Sequence, residues 1–254
     1  IALVIISLMG GGMKMGFDGP GRADSSYSFS RPKHFFGRMA PVQYFKVGIH
    51  PTIVIDNPNG SIHVHSGGQA DTLAVQASNP EAGTPDMQQD SNGSFTITVP
   101  NQEPSASTDI DVTVANEADL VLQTDTGSID VHGVDGQMRL TSGDGSITLT
   151  HVTLARNSIV KTDAGSITFA GSLNPQGTSQ FETGEGTIDV ALSAAASYHL
   201  HVISRGGTFN SDPPVSLSSS DNNNIDARTD VGKSPSATLT LTTDTGSINL
   251  HRRE

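Results

Sequence analysis

Two histidine pairs are the first candidates for chemistry in this sequence, His63-x-His65 and His199-x-His201. Side chains two positions apart project from the same face of a β-strand, so each pair has a spacing that can chelate a transition metal. Protein zinc sites use at least three protein ligands, and the sequence assigns no third ligand to either pair. We therefore interpret the four histidines as polar residues on solvent-facing strand surfaces, and we predict no metal and no cofactor.

Aspartate-containing turns are the second candidates. The triplets Asp125-Thr-Gly, Asp163-Ala-Gly and Asp244-Thr-Gly suggest calcium, but calcium-binding repeats use a denser Gly-Gly-x-Gly-x-Asp pattern, which this chain lacks. Two of the triplets also match the Asp-Thr-Gly of aspartic proteases, yet other copies of the same repeat have no aspartate at this position. Because Asp before Gly is first of all a turn signal, we interpret all three as turns.

Paired carboxylates that could cleave a polysaccharide are the third candidates. The available acidic residues are Asp130, Asp144, Glu182, Glu185 and Asp189. Turns and solvent-facing strand positions explain all of them, and the chain has no Trp and no row of Tyr on which sugar rings stack. Nucleophile-elbow, Walker and dinucleotide-binding motifs are missing. We predict a non-enzymatic protein with no catalytic residue, and a polysaccharide-active β-helix enzyme is the less favoured alternative.

Composition and charge restrict the class of protein further. The chain has 254 residues, 34% hydrophobic and 5% aromatic, with 27 glycines and no cysteine. This composition argues against a Leu-rich helical bundle and excludes disulfides, zinc ribbons and thiol chemistry. The net charge of −12 divides into +4 for residues 1–50 and −16 for residues 51–254. An acidic body disfavours nucleic acid as a partner, whereas a basic arm on an acidic body predicts docking on protein.

A repeat positions all of these candidates. Its anchor, Gly-Ser/Thr-Ile/Phe, recurs at Gly60, Gly93, Gly127, Gly145, Gly165, Gly186, Gly207 and Gly246. Successive glycines are 33, 34, 18, 20, 21, 21 and 39 residues apart. We interpret the interval of 39 as two periods, with Asn223-Asn224-Ile225 as a degenerate copy in which Asn replaces Gly.

Apolar residues alternate on both sides of each glycine, which predicts strand, turn, strand. One such unit buries only about four apolar side chains, too few for a core of its own, so the units must stack. We therefore predict an all-β protein, a β-helix-like β-solenoid of about 18–21-residue repeats behind a hydrophobic N-terminal segment. Whether one coil holds one or two repeats stays open. Ser or Thr recurs three residues before the glycine, where its hydroxyl could satisfy turn backbone groups. These residues are Thr124, Ser142, Thr162, Thr183, Ser204 and Thr243.

The spacing between successive anchor glycines is longer in the region of residues 67–119. Gln88 occupies an expected apolar position there, and we predict loops over residues 79–92 and 100–108.

Two segments precede the repeats, which divides the chain into residues 1–17, 18–50 and 51–254. The first segment is too short to span a bilayer by itself. It is either part of a membrane anchor or a strand donated to another subunit. The second is basic and contains six of the twelve aromatic residues, so we expect it to pack as a cap or against a neighbour. Candidate residues for subunit assembly or membrane anchoring are Ile1, Leu3, Val4, Ile5, Ile6, Leu8, Phe35, Phe36, Tyr44 and Phe45.

The recurring form, apolar-x-apolar-x-Thr/Ser-x-x-Gly-Ser-Ile-x-Val, resembles the strand repeat of the bacterial putative-adhesin family of uncharacterised cell-surface proteins. The resemblance covers roughly residues 50–250. It implies a β-solenoid behind an N-terminal membrane segment, with surface display, adhesion or envelope sensing as its role, and it implies no catalytic residue.

The sequence places residues 250–254 directly after the last strand, with no visible cap on the final repeat. Because uncapped sheet ends associate, we expect a subunit of a head-to-tail surface filament that is extracellular, self-associating and structural or adhesive. The alternatives are a monomeric membrane-tethered adhesin, attached through residues 1–17, and an envelope-sensor domain. A surface or carbohydrate ligand is not identified.

Overall fold

The computed structural model describes residues 39–79, 84–91, 93–100, 107–212, 214–215, 220–221 and 224–253. Across these residues the chain forms 21 strands and no helix, and none of the described segments could cross a membrane as a helix. The strands form one sheet of ten and one of eleven. The predicted all-β class is therefore confirmed.

The ten-stranded sheet is called sheet 1. Its strands, in spatial order, are β1 (Gln43–Lys46), β4 (Thr72–Ala77), β7 (Ile110–Val114), β3 (Ile62–Ser66), β9 (Ile129–His132), β11 (Ile147–Leu154), β13 (Ile167–Leu173), β15 (Ile188–Ser193), β21 (Ser247–Arg253) and β17 (Thr208–Asp212).

The eleven-stranded sheet is called sheet 2. Its strands, in spatial order, are β18 (Ser220–Asp221), β19 (Asn224–Val231), β16 (Tyr198–Ser204), β20 (Ala237–Thr245), β14 (Thr178–Glu185), β12 (Asn157–Ala164), β10 (Met138–Asp144), β8 (Asp119–Thr126), β2 (Thr52–Asp56), β6 (Ser94–Thr98) and β5 (Asp86–Gln89).

Each repeat adds one strand to each sheet. The strand before the glycine lies in sheet 2 and the strand after it lies in sheet 1, as β10 is followed by β11. Equivalent positions align across parallel neighbours, so Leu140 pairs with Val160 and Val160 with Phe181. The three turn aspartates consequently lie in β8, β12 and β20, separated by strands that carry Gly143 and Gly184 at the same position. The alternation keeps the carboxylates from stacking on adjacent strands.

The apolar core lies between the two sheets. Alternate residues of the inner strands face inward and are buried, as the period-two pattern predicts. Ile147, Ile167 and Ile188 align across three neighbouring strands of sheet 1. Facing them from sheet 2, the Phe181 ring lies 5.3 Å from the Phe169 ring, centroid to centroid. Each such side chain contributes about 1.5–3 kcal/mol of burial free energy.

The turn glycines also form a ladder between the sheets. In spatial order they are Gly60, Gly127, Gly145, Gly165, Gly186, Gly246 and Gly207. A Cβ at any of them would come closer than 3.0 Å to a carbonyl oxygen of the adjacent repeat, a distance that real Cβ atoms do not reach. The stacked turns thus require glycine because no side-chain atom fits between them.

Buried hydroxyl groups cross-link the same turns. Thr162 Oγ1 donates to the Gly145 carbonyl at 2.8 Å, and Thr183 Oγ1 donates to the Gly165 carbonyl at 2.8 Å. Ser142 and Thr124 make the same contact one and two repeats before Thr162. The predicted role of these hydroxyls is confirmed at four positions, but the buried hydroxyls of Ser204 and Thr243 have no partner in the described part of the structure.

The final repeat lies inside the stack, which corrects the expectation of an uncapped end after residue 250. Strand β20 lies between β14 and β16, and β21 lies between β15 and β17. The interpretation of Asn223-Asn224-Ile225 as a degenerate repeat is also wrong. Asn224 begins β19, which pairs antiparallel with β16 and adds an outer strand to sheet 2.

The opposite end of the stack also departs from chain order. The pair β6 and β7 lies outside β2 and β3, followed by antiparallel β5 in sheet 2 and antiparallel β4 and β1 in sheet 1. Gly93 therefore lies in the tight β5–β6 hairpin, where a Cβ would meet no atom within 4 Å, and not in the glycine ladder. The predicted loop over residues 79–92 contains β5, in which Met87 packs against the core and Gln88 is exposed.

Predictions for residues 1–38 lie outside the described residues, and so do those for residues 101–106. These include Ile1, Leu3, Val4, Ile5, Ile6, Leu8, Phe35 and Phe36. Of the assembly candidates, Tyr44 and Phe45 lie in β1, which pairs with β4.

Candidate functional site: the outer face and edges of sheet 1

Two rows of side chains cross the outer face of sheet 1, because the parallel strands are in register. We call the first the aspartate row: Gln76, Asp111, His63, Asp130, Thr148, Thr168, Asp189, Asn249 and Asn210. We call the second the histidine row: Tyr44, Ala74, Thr113, His65, His132, Thr150, Ala170, Ala191, His251 and Asp212.

The first histidine pair lies at the centre of these rows. His63 Nδ1 lies 3.1 Å from Asp130 Oδ2. His65 Nδ1 lies 3.7 Å from Asp111 Oδ1, and its Nε2 lies 2.9 Å from Thr113 Oγ1. Each imidazole therefore has its own partners on neighbouring strands, and the two do not converge on one point. Both side chains are on the outer face, where the sequence places them.

The second histidine pair lies on the outer face of sheet 2. His199 Nδ1 lies 2.6 Å from Asp230 Oδ1, and His201 Nε2 lies 2.8 Å from Asp226 Oδ1. The hydrogen bond from His201 holds the pKa of Asp226 below its usual value. Both aspartates come from antiparallel β19, which no repeat pattern predicts. Among the described residues, no three His, Asp or Glu side chains are grouped so as to hold a metal ion.

The carboxylates considered for catalysis lie in separate places. Asp189 pairs with His251 at 3.3 Å, and Glu182 on sheet 2 pairs with Lys161 at 2.8 Å, which raises the pKa of Lys161. Asp130 and Asp189 share a row but lie three strand spacings apart, about 14 Å. Glycosidases need carboxylates roughly 5–9.5 Å apart, so this pair does not have that geometry. Asp144 and Glu185 share a register position two strand spacings apart, about 10 Å, and both are exposed at the ends of β10 and β14.

Within the described part of the chain, large exposed apolar residues concentrate in and around β1, the first strand of sheet 1. They are Met39, Val42, Tyr44 and Ile49, and the exposed fraction of Tyr44 is 71%. Phe45 points the other way, and its ring centroid lies 4.6 Å from that of Phe95 in the core. Of the two aromatic candidates in β1, Phe45 thus fastens the strand to its own domain and Tyr44 is available to a partner.

Four strands form the edges of the two sheets: β1 and β17 in sheet 1, and β5 and β18 in sheet 2. In the described part of the chain, no further strand pairs with their outer sides. An edge strand presents unpaired backbone donors and acceptors, so it can accept an added strand. At the β17 edge the inward-facing Phe209 is only half-buried, unlike the fully buried Ile248 beside it in β21.

The fold is similar to that of one of the solved structures compared with it. A crystal structure of a putative cell adhesion protein from Clostridium sporogenes superposes with a TM-score of 0.51 at 12% identity, covering 84% of this chain and 99% of that one. A putative adhesin from Bacteroides fragilis gives a TM-score of 0.41 at 11% identity, covering 84% and 97% of the two chains. No family model and no curated protein matches the chain. The resemblance to adhesins is thus confirmed by a solved structure at the level of the fold.

Proposed function

We propose that this chain is a non-enzymatic, extracellular adhesive protein of the cell surface, built as a β-solenoid in which each repeat forms one coil. The observation that carries the proposal is the outer face of sheet 1. Its polar side chains form long rows of separate cross-strand pairs, such as His63 with Asp130, and they do not converge on a reaction centre. The fold shared with the putative cell adhesion protein of Clostridium sporogenes supports the same role.

The stack is also suited mechanically to display. Parallel strands in register connect almost every repeat to two neighbours through backbone hydrogen bonds and the glycine ladder. A solenoid of this kind is stabilised by contacts between adjacent repeats. Its surface side chains therefore keep fixed spacings over the whole length, which is what a binding face needs.

Retention of displayed cells under flow tests the adhesive role. The full chain is displayed on a non-adherent bacterial strain, and cells are passed over glass coated with mucin, collagen or albumin. We expect the displayed chain to increase retention on mucin or collagen but not on albumin. The control is Leu140→Asp, which places a charge in the buried core. Retention equal to that of the carrier strain on every coating would contradict the proposal.

We further propose that copies associate head to tail, with residues 1–9 donated as a strand to an edge of sheet 1 in the next copy. The Ile- and Val-rich composition of residues 1–9 suits a buried strand. The edge β17 offers a half-buried Phe209 for such a strand to cover. The charge of +4 on residues 1–50 against −16 on the rest favours docking of the arm along a neighbour.

Negative-stain electron microscopy of the full chain tests this association, and we expect filaments. Deleting residues 1–16 should give monomers, and a synthetic peptide of residues 1–16 should bind those monomers by backbone pairing. A scrambled peptide of the same composition is the control. Monodisperse full-length particles, or a peptide that does not bind, would refute strand donation. The adhesive role would then belong to a single copy, tethered through residues 1–17 or acting as an envelope sensor.

A further inference from the structure

A groove of about 530 Å³ opens on the outer face of sheet 1 at the β1 end. Its floor is Ala74, whose neighbours in the row are Tyr44 on β1 and Thr113 on β7. Tyr44, Gly67 and Gly68 also line the groove. The groove exists because small residues lie beside an exposed aromatic ring. Its volume is within the range of small-molecule sites.

Planar polar groups lie around the same floor. Asp111, Gln69 and Gln76 line the groove. The Gln76 amide is fixed in place because its Nε2 donates to the Ala40 carbonyl at 3.0 Å. Carboxylate and amide groups can each bind two adjacent hydroxyls, the arrangement that a sugar ring offers along one edge. The C–H face of the same ring is apolar and packs against an aromatic side chain such as Tyr44.

Charge restricts the ligand further. Asp111 contributes a carboxylate to the groove, and His65 Nδ1 lies 3.7 Å from its Oδ1. The nearby cation Lys46 is paired with Asp71 at 3.1 Å. This pairing holds the pKa of Asp71 below its usual value, so the pair stays charged and internally neutral at physiological pH. The carboxylate would repel an acidic sugar, whereas a neutral sugar would not be repelled.

We propose that this groove binds a neutral saccharide, stacked on Tyr44 and held by Asp111 and the flanking amides. The inference rests on the proposed adhesive function and assigns its ligand class. The saccharide would belong to a glycan on the surface to which the protein adheres.

Saturation-transfer difference NMR with the full chain tests the inference. The neutral probes are cellotriose, maltotriose, lactose and N,N′-diacetylchitobiose, and the acidic probe is sialyllactose. We expect saturable binding of at least one neutral probe below about 10 mM, and no binding of sialyllactose. Tyr44→Ala should weaken binding at least about tenfold, whereas Tyr44→Phe should retain it. Ala74→Arg should abolish binding by filling the groove without removing a contact.

Ile49→Ala is the matched control, because Ile49 is 77% exposed in the same stretch of chain but does not line the groove. Failure of every neutral probe to saturate would overturn the inference, and so would unchanged binding by Ala74→Arg. The cell-retention assay separates this result from the proposed function. Retention without saccharide binding overturns only the ligand class, whereas saccharide binding without retention overturns adhesion and leaves the groove site standing.

Discussion

Replacing Gly186 with alanine tests the glycine ladder directly. Gly186 has a φ of +149°, a region that is strained for any residue with a side chain. A Cβ there would lie 2.7 Å from the Gly165 carbonyl carbon and closer still to its oxygen, which already accepts the Thr183 hydroxyl. The backbone strain costs about 1–3 kcal/mol and the overpacking about 1–3 kcal/mol. The loss of about 2–6 kcal/mol should lower the melting temperature by roughly 5–20 °C.

The assay is thermal and urea denaturation followed by circular dichroism. Gly48→Ala is the control, because a Cβ at Gly48 meets nothing within 4 Å and its φ is not in the strained range. This control should leave stability unchanged or slightly increased, since alanine restricts the unfolded chain more than glycine does. A Gly186→Ala protein as stable as the Gly48→Ala protein would refute the close approach of the turns.

Three further comparisons between variants have outcomes that the structure determines. Thr162→Val should cost about 1–3 kcal/mol of unfolding free energy in urea, because it removes the hydrogen bond to the Gly145 carbonyl. Thr243→Val should cost nothing or stabilise, because the buried Thr243 hydroxyl has no described partner. Equal losses of unfolding free energy in the two variants would contradict the stabilising role of the hydroxyl that bonds a turn carbonyl. Leu241→Ala in the final repeat should cost about 2–5 kcal/mol, as much as Leu140→Ala in the middle of the stack, and a much smaller loss would place that repeat at an end. Burial raises the pKa of Tyr198 to about 12. Since the pKa of this tyrosine in the unfolded chain is about 10, the free energy of unfolding should fall between pH 10 and 12 in the wild type. It should fall less in Tyr198→Phe. Equal pH profiles of the two proteins in denaturation would contradict the burial of the Tyr198 hydroxyl.

The strands and the core could be predicted from the sequence because both depend on local pattern. Alternation around each Gly-Ser-Ile anchor specifies which side chains face inward, and buried residues such as Ile147 and Ile167 confirm it. The turn-bonding role of the hydroxyl three residues before the glycine could be predicted in the same way. At Thr124, Ser142, Thr162 and Thr183 its position is fixed by the turn that it cross-links.

The order of the repeats could not be predicted because the repeats are nearly equivalent. Each one presents aliphatic side chains and a glycine turn at the same positions. Nothing local specifies that β20 lies between β14 and β16. The same similarity made the hairpin glycine Gly93 resemble a ladder glycine.

The candidate site could not be predicted from the sequence, because its residues are distant in the chain. Tyr44, Ala74 and Thr113 lie far apart in the chain and become neighbours only through the antiparallel pairing of β1, β4 and β7. Likewise, Asp226 and Asp230 approach His201 and His199 only because β19 turns back onto β16. Long-range pairing of this kind leaves no periodic signal.

The most direct test of the proposed adhesive role is immunogold electron microscopy of intact, unpermeabilised cells that make this protein, with antibody raised against the purified chain. We predict gold label on the outer surface, removed by external protease and most dense where cells contact a surface. Label that appears only after permeabilisation would contradict a surface adhesive protein.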